Sequence, residues 1–452
     1  MLTQRAGVGR IERQRRVLMK HKLLLLHGSG SQWLQQLQQQ NARWRATQRR
    51  GTRRNFQHDG SFQQAVAPVL LVAQCFCLMP VQGLSAYSVR KLHFTWRSWR
   101  TCWSLAFIVS SLLDTVFNIN LMAHNALDVR NVEPIVFDVS ILMGSYLFLQ
   151  LARQWPTLMQ HWARVEQQLP SFESWRQQQR LARRIRRVAF GLFGISLMEH
   201  LLSIISAVYY DYCPARRDPI ESYFYKSGVH FFHVFPYSNW LGWLAKVQNV
   251  LLTFAWSYLD IFVMIMGIGI SELFSRLTLH LQPLASRSMP EIFWTYARTR
   301  YRAIVELILD VDDAISGIML ISFGSNLYFV CLQVLKSINK MPSAVHAVYF
   351  YFSICFLIGR SVAVLLYVSA VHDHSRAPLR LLREVPRQSY QEEQCRFASE
   401  LVSDEIALTG LKFFSITRKL FLSVAGSIVT YELVLIQFHE DKKTWDCHRQ
   451  PT

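Results

Sequence analysis

Seven apolar stretches, each long enough to cross a bilayer core of about 30 Å as a helix, constrain this chain more than any other feature. They lie at roughly 102–124, 134–152, 188–210, 247–270, 314–336, 345–371 and 411–438. Backbone at that depth has no water to satisfy its N–H and C=O groups, so the fold class must be all-α, a seven-transmembrane-helix protein. Composition agrees, with 51% hydrophobic and only 17% charged residues. A net charge of +19 would by itself admit nucleic acid as a partner, but the cations cluster between the apolar runs and point to the membrane surface instead. An odd number of spans puts the termini on opposite sides. With a cytoplasmic amino terminus, 35 of the 49 Lys and Arg fall inside, which fixes an extracellular carboxyl terminus.

The runs divide the chain. Residues 1–60 are rich in Gln and Arg, with Glu12 and Asp59 their only acids, and read as a disordered basic cytoplasmic tail. Residues 61–101 form a cytoplasmic or interfacial pre-helix, whose apolar piece from Pro68 to Pro80 is too short to cross and should be buried or interfacial. Arg90, Lys91, Arg97 and Arg100 then alternate with Phe94, Trp96, Trp99 and Trp103, as expected where a chain enters the headgroup layer. Residues 102–410 make a six-helix ligand-binding bundle with inner loops expected at about 153–187, 271–313 and 372–410. Residues 411–438 are the seventh helix and 439–452 an extracellular tail.

Enzyme chemistry is excluded by what the chain lacks: a Gly-rich phosphate loop, a nucleophile elbow and a His-Glu-x-x-His helix. Eight cysteines show no zinc spacing, and His372-Asp373-His374 has no further ligands within reach in sequence, so no metal or cofactor is expected. Only Cys213 and Cys447 fall in outer segments, which leaves one disulfide between them conceivable.

The spans carry unusual polarity. Asp114 and Asn118, Asp138, Glu199 and His200, Trp256 and Asp260, Asn326 and Arg360 all sit in otherwise apolar runs. An ionised group at that depth costs several kcal/mol unless paired or hydrated, so these side chains should face inward and one another. Arg360 has Asp260 or Glu199 as structural partners, and a shared wet cavity accounts for the set. Its outer members, Asp114, Asn118, Asp138, His200, Tyr209, Tyr210, Trp256, Asn326 and Tyr349, mix carboxylate, amide and imidazole with flat rings. That mixture suits a sugar, whose hydroxyls need donors and acceptors and whose C–H faces stack on rings; peptides and amines fit it less specifically. In the last run, Ser423, Ser427, Thr430, Val434 and Gln437 recur at spacings of four, three, four and three. They share one helical face, and it wants water or protein rather than lipid.

Thr430-Tyr431, then three residues, Leu435, one residue and Gln437-Phe438 resemble the carboxyl-terminal signature of insect gustatory receptors. Met198-Glu199-His200 and Met79-Pro80-Val81 look like the sugar-sensing branch of that family. The resemblance covers about residues 65–445. It implies the insect chemoreceptor channel fold and a ligand-gated, nonselective cation channel in the plasma membrane of gustatory-neuron dendrites. It also implies a homotetramer, or a heterotetramer with related subunits, in contact with membrane lipids. A mono- or disaccharide would bind in the outer half of the first six helices. Gln437 and Phe438 would form the outer constriction of the pore, with Val434 one turn below; Phe438 lies one position off the polar stripe. Two rivals remain. A seven-helix receptor coupled to intracellular signalling would need its amino terminus outside, against the charge bias. A secondary transporter of small polar solutes would show related halves, which this sequence lacks.

Overall fold

The computed structural model describes residues 61–420 apart from 87, 125–128, 171–174, 211–218, 286–288, 290, 339–340, 342 and 386–390, and beyond 420 only 423, 424, 426 and 430. The two tails, Cys213, Cys447 and most of the seventh run therefore lie outside the described residues. A short α1 (Ser61–Cys75) is followed by a 3-10 turn (Val89–Lys91) and then by the first two long helices, α2 (Trp99–His124) and α3 (Val129–Gln168). After α4 (Trp175–Tyr210) come two short helices, α5 (Pro219–Ser227) and α6 (Val229–Phe232). The chain continues through α7 (Asn239–Ala285), α8 (Glu291–Ser337) and α9 (Ala344–Ser375), and then α10 (Ala377–Arg383) and α11 (Glu392–Ser403). A two-stranded hairpin follows, β1 (Thr409–Gly410) with β2 (Phe414–Ser415). The six long helices α2, α3, α4, α7, α8 and α9 are each long and apolar enough to cross a membrane.

Burial ranks these spans. In α7 78% of the apolar window is buried, against 11% in α4, so α7 is the central post and α4 a peripheral helix. Its sequence explains this: Ile261 to Met266 is an unbroken apolar run, all of it buried, and a helix apolar on every side belongs in the middle. It packs against α9, α8, α4 and α3. Two glycines permit the closest approaches. A Cβ on Gly267 would lie 2.5 Å from the Tyr367 carbonyl oxygen on α9, and one on Gly269 would lie 2.3 Å from the Phe62 ring on α1.

The inner loops expected at 153–187 and 271–313 are largely helical. Hydropathy reports only the lipid-crossing part, whereas α3 and α4, and α7 and α8, run on well beyond it. The extension of α3 carries Trp155, Leu158, Met159, Trp162 and Val165, a buried stripe at helical spacing, and its Gln and Arg residues are good helix formers. There α1 packs against α4, α3 and α7. Phe62 stacks on Trp162 at 4.1 Å between centroids, and Trp155 Nε1 donates to Gln63 Oε1 at 3.1 Å. The apolar piece before the first span is thus core: Val66, Val69, Leu70 and Ala73 are buried. Each such Val or Leu is worth about 1.5–3 kcal/mol when taken from water.

The seventh run differs at its start. Residues 411–413 form the turn of the β1–β2 hairpin, and helix begins only at Arg418. The Lys412-Phe413-Phe414-Ser415 segment is apolar enough to extend a hydropathy window, but it forms hairpin rather than helix.

Candidate functional site

Asp260 of α7 and Arg360 of α9 meet at the centre of the bundle, Nε to Oδ2 2.7 Å, both 2% exposed. A buried ion pair offsets its desolvation only when its remaining donors and acceptors are also used. Here α8 supplies partners for the carboxylate and for one guanidinium nitrogen. Ser322 Oγ donates to Asp260 Oδ1 at 2.5 Å, and Asn326 Nδ2 reaches both carboxylate oxygens at 2.9 and 3.0 Å. Arg360 Nη2 donates in turn to Asn326 Oδ1 at 3.4 Å. The guanidinium lies 4.2 Å over the Trp256 ring, and Phe137 and Phe329 meet that ring edge-on at 5.6 and 5.2 Å.

A second polar line joins α4 to α9. Ser353 Oγ donates to Glu199 Oε1 at 2.9 Å and accepts from Gln333 Nε2 at 3.3 Å. Further along, Ser206 Oγ and His346 Nδ1 are 3.0 Å apart, and the His346 and Tyr349 rings meet edge-on at 6.1 Å. A third cluster sits beside Phe137. Asn118 Nδ2 donates to Asp138 Oδ2 at 2.7 Å, joining α2 to α3. On the same face of α2, Asp114 Oδ1 lies 2.6 Å from His230 Nε2 of α6, and Phe117 packs edge-on against Phe231 and Phe235.

The structure thus brings Asp260, Arg360, Asn326 and Trp256 together, puts Glu199 and Tyr349 on the adjoining line, and places Asp114, Asn118 and Asp138 in the third cluster. Trp256 Nε1, His200 Nε2 and Gln333 Oε1 are buried and have no hydrogen-bond partner among the described residues. Such atoms forgo about 1–3 kcal/mol each until something hydrogen-bonds them. Tyr209 does not join the set. It is 67% exposed and falls with Leu201, Ile205 and Val208 on the outward stripe of α4. The Tyr210 side chain lies outside the described residues, as do Ser427, Val434, Gln437 and Phe438; Thr430 is exposed, its hydroxyl donating to the Gly426 carbonyl at 3.0 Å.

Ser322, Gln333, Ser353, Ser206, His346 and His230 were not anticipated. The first two lie on the same face of α8 as Asn326 and Phe329, at spacings of four, three and four, a signal present in the sequence. His230 is carried by α6, in the aromatic connection between α4 and α7.

The backbone architecture resembles two solved structures of the olfactory receptor OR5 from Machilis hrabei, one of them with eugenol. Each superposes with a TM-score of 0.59 at 15% identity and covers 90% of that receptor; the two cover 75% and 76% of this chain. Relatives in Drosophila melanogaster include gustatory receptor 5a for trehalose, 62% identical over 92% of this chain and 94% of its own length. Gustatory receptor for sugar taste 64f is 47% identical over 88% and 85%. Residues 43–447 match the family model described as trehalose receptor. With that match across most of its length and an all-helical bundle of chemoreceptor type, the chain belongs to the trehalose receptor family, the sugar-sensing branch of the insect gustatory receptors, which are receptors and not enzymes.

Proposed function

We propose that the chain is a sugar-gated, nonselective cation channel of the plasma membrane, that trehalose is its ligand, and that four subunits assemble around their seventh helices. The observation that carries this reading is the polar centre. Asp260, Arg360 and Asn326 form a hydrogen-bonded network under Trp256, and Trp256 Nε1, His200 Nε2 and Gln333 Oε1 are buried with no hydrogen-bond partner among the described residues. A disaccharide supplies donors and acceptors for such atoms and a C–H face for the rings. Trehalose is the choice because the 62%-identical fly relative is described as a receptor for it.

Gating follows from where the network ends. Asn326 also lines an apolar groove of about 180 Å³ between α8 and α9, bordered by Val424 of the last run. Sugar that binds one arrangement of α8 and α9 better than another shifts the equilibrium toward it, and that shift reaches the last helix across this groove. At the outer constriction, four Phe438 rings would close a narrow pore by dewetting, and rotation of Gln437 into the lumen would rewet it. The dendrites of gustatory neurons are the expected site of action.

The test is a sugar panel applied to the purified chain alone in a planar bilayer, with cation current as the readout. Trehalose-evoked current supports the reading. Saturable trehalose binding without current, or sugar uptake without current, refutes it in favour of a signalling receptor or a transporter. Current only after a related subunit is added points to a heteromer.

A further inference from the structure

The last apolar run is tied to the bundle at its root. Asp312 of α8 is 2% exposed and takes no part in the polar centre. Its carboxylate accepts from the Thr409 backbone N–H at 2.6 Å and the Thr409 hydroxyl at 2.8 Å, and Lys412 Nζ lies 2.5 Å away. One turn further along α8, the Ser316 carbonyl accepts from the Leu411 N–H at 3.3 Å. The turn so gripped is an unfavourable one: Leu411 and Lys412 have φ of 47° and 62°, left-handed values that side chains other than glycine rarely adopt. A conformation of that kind persists only where its surroundings over-determine it, and the Asp312 bonds supply the constraint. Just beyond, Arg418 Nε reaches Asp373 Oδ2 of α9 at 2.6 Å.

The two helices that hold this root, α8 and α9, are the two that carry Asn326 and Arg360. Asp312 and Asn326 lie on one continuous helix, about 21 Å apart at 1.5 Å per residue. A slack connection at 404–417 would absorb any shift of α8; a hairpin bonded to α8 at three points cannot. From this geometry we infer that Asp312 is a positioning residue for gating. It fixes the root of the last helix to α8, so that rearrangement about the ligand is delivered to the pore. The inference rests on the channel reading above.

The test compares Asp312→Ala with Asp313→Asn, a control on a 70%-exposed neighbour that shares only Lys412. Three quantities are read for each full-length variant: receptors at the cell surface, trehalose affinity of the purified protein, and maximal trehalose-evoked current per surface receptor. Asp312→Ala is expected to keep the wild-type affinity and to lose maximal current about fivefold, the lower range of coupling between distant sites. Asp313→Asn should match the wild type. Normal maximal current in Asp312→Ala, or a fall in affinity that accounts for the loss, overturns the inference. If Asp312→Ala does not reach the surface, Lys412→Met decides, since it leaves the Thr409 bonds in place: reduced maximal current at normal affinity supports the clamp, and normal current overturns it. A wild-type chain that binds trehalose but passes no current removes the channel reading and this inference together, whereas an intact Asp312→Ala response removes this inference alone.

Discussion

Asp260→Ala isolates the cost of an uncompensated charge at the heart of the bundle. The Asp260 carboxylate takes Arg360 Nε at 2.7 Å, Ser322 Oγ at 2.5 Å and Asn326 Nδ2 at 2.9 and 3.0 Å. Without it the guanidinium keeps Asn326 Oδ1 at 3.4 Å, the faces of Trp256 and Phe356 and the Coulombic attraction of Glu199, in a site where Arg360 is 2% exposed. Removing one member of a buried pair costs about 3–5 kcal/mol, whereas replacing both by apolar residues of similar volume is close to neutral. At about 2.1 cal/mol/K of unfolding entropy per residue, a cooperative unit the size of residues 61–420 converts that loss into a fall of about 4–7 °C in Tm. The assay is thermal denaturation of detergent-extracted protein, following the folded fraction by size-exclusion chromatography after heating. Asp260→Ala should lose that much, and Asp260→Leu with Arg360→Met should recover most of it. A double variant as unstable as the single one, or a single variant indistinguishable from wild type, would refute the assignment of the cost to the orphaned guanidinium.

Other expectations follow from packing and placement. Gly269→Ala should lower thermal stability, because its Cβ meets the Phe62 ring at 2.3 Å, and Phe62→Leu in the same chain should restore part of it; no change in either would contradict the close α1–α7 approach. Asp138→Ala should weaken the trehalose dose response by removing the partner of Asn118, while Tyr209→Ala, on the outward stripe of α4, should leave it unchanged; the reverse pattern would relocate the pocket. Phe438→Ala should raise current in the absence of sugar at normal surface expression, and an unaltered basal leak would remove that ring from the gate.

The spans were legible in the sequence because lipid imposes one rule on every backbone group it surrounds, so length and apolarity suffice to locate helices there. What lay outside the bilayer was less so. The helical continuation of α3 past residue 152 carries its own buried stripe through Trp155 and Trp162, but a hydropathy window discards it as too polar. Charged residues in the spans located the polar centre of the bundle, since an Asp260 or an Arg360 at that depth must find a partner. Their neutral partners were hidden: Ser322 and Ser353 are common in membrane helices, and only the fold shows which of them face a carboxylate. Tyr209 misled because a tyrosine near a helix end serves a pocket or a lipid interface equally well, and the rotation of α4 decides between them. His230 could not be paired with Asp114 from sequence, since the contact spans an outer connection of variable path.

The account turns on the last apolar run lining a sugar-gated ion path, and cysteine accessibility measures that directly. Single cysteines at Ser427, Val434 and Gln437 are exposed to a water-soluble thiol reagent with and without trehalose while cation current is recorded. Block at these three positions, faster with trehalose present, is the predicted result. Modification that leaves conduction untouched there, while the same reagent at neighbouring positions off this helical face abolishes it, would contradict the account.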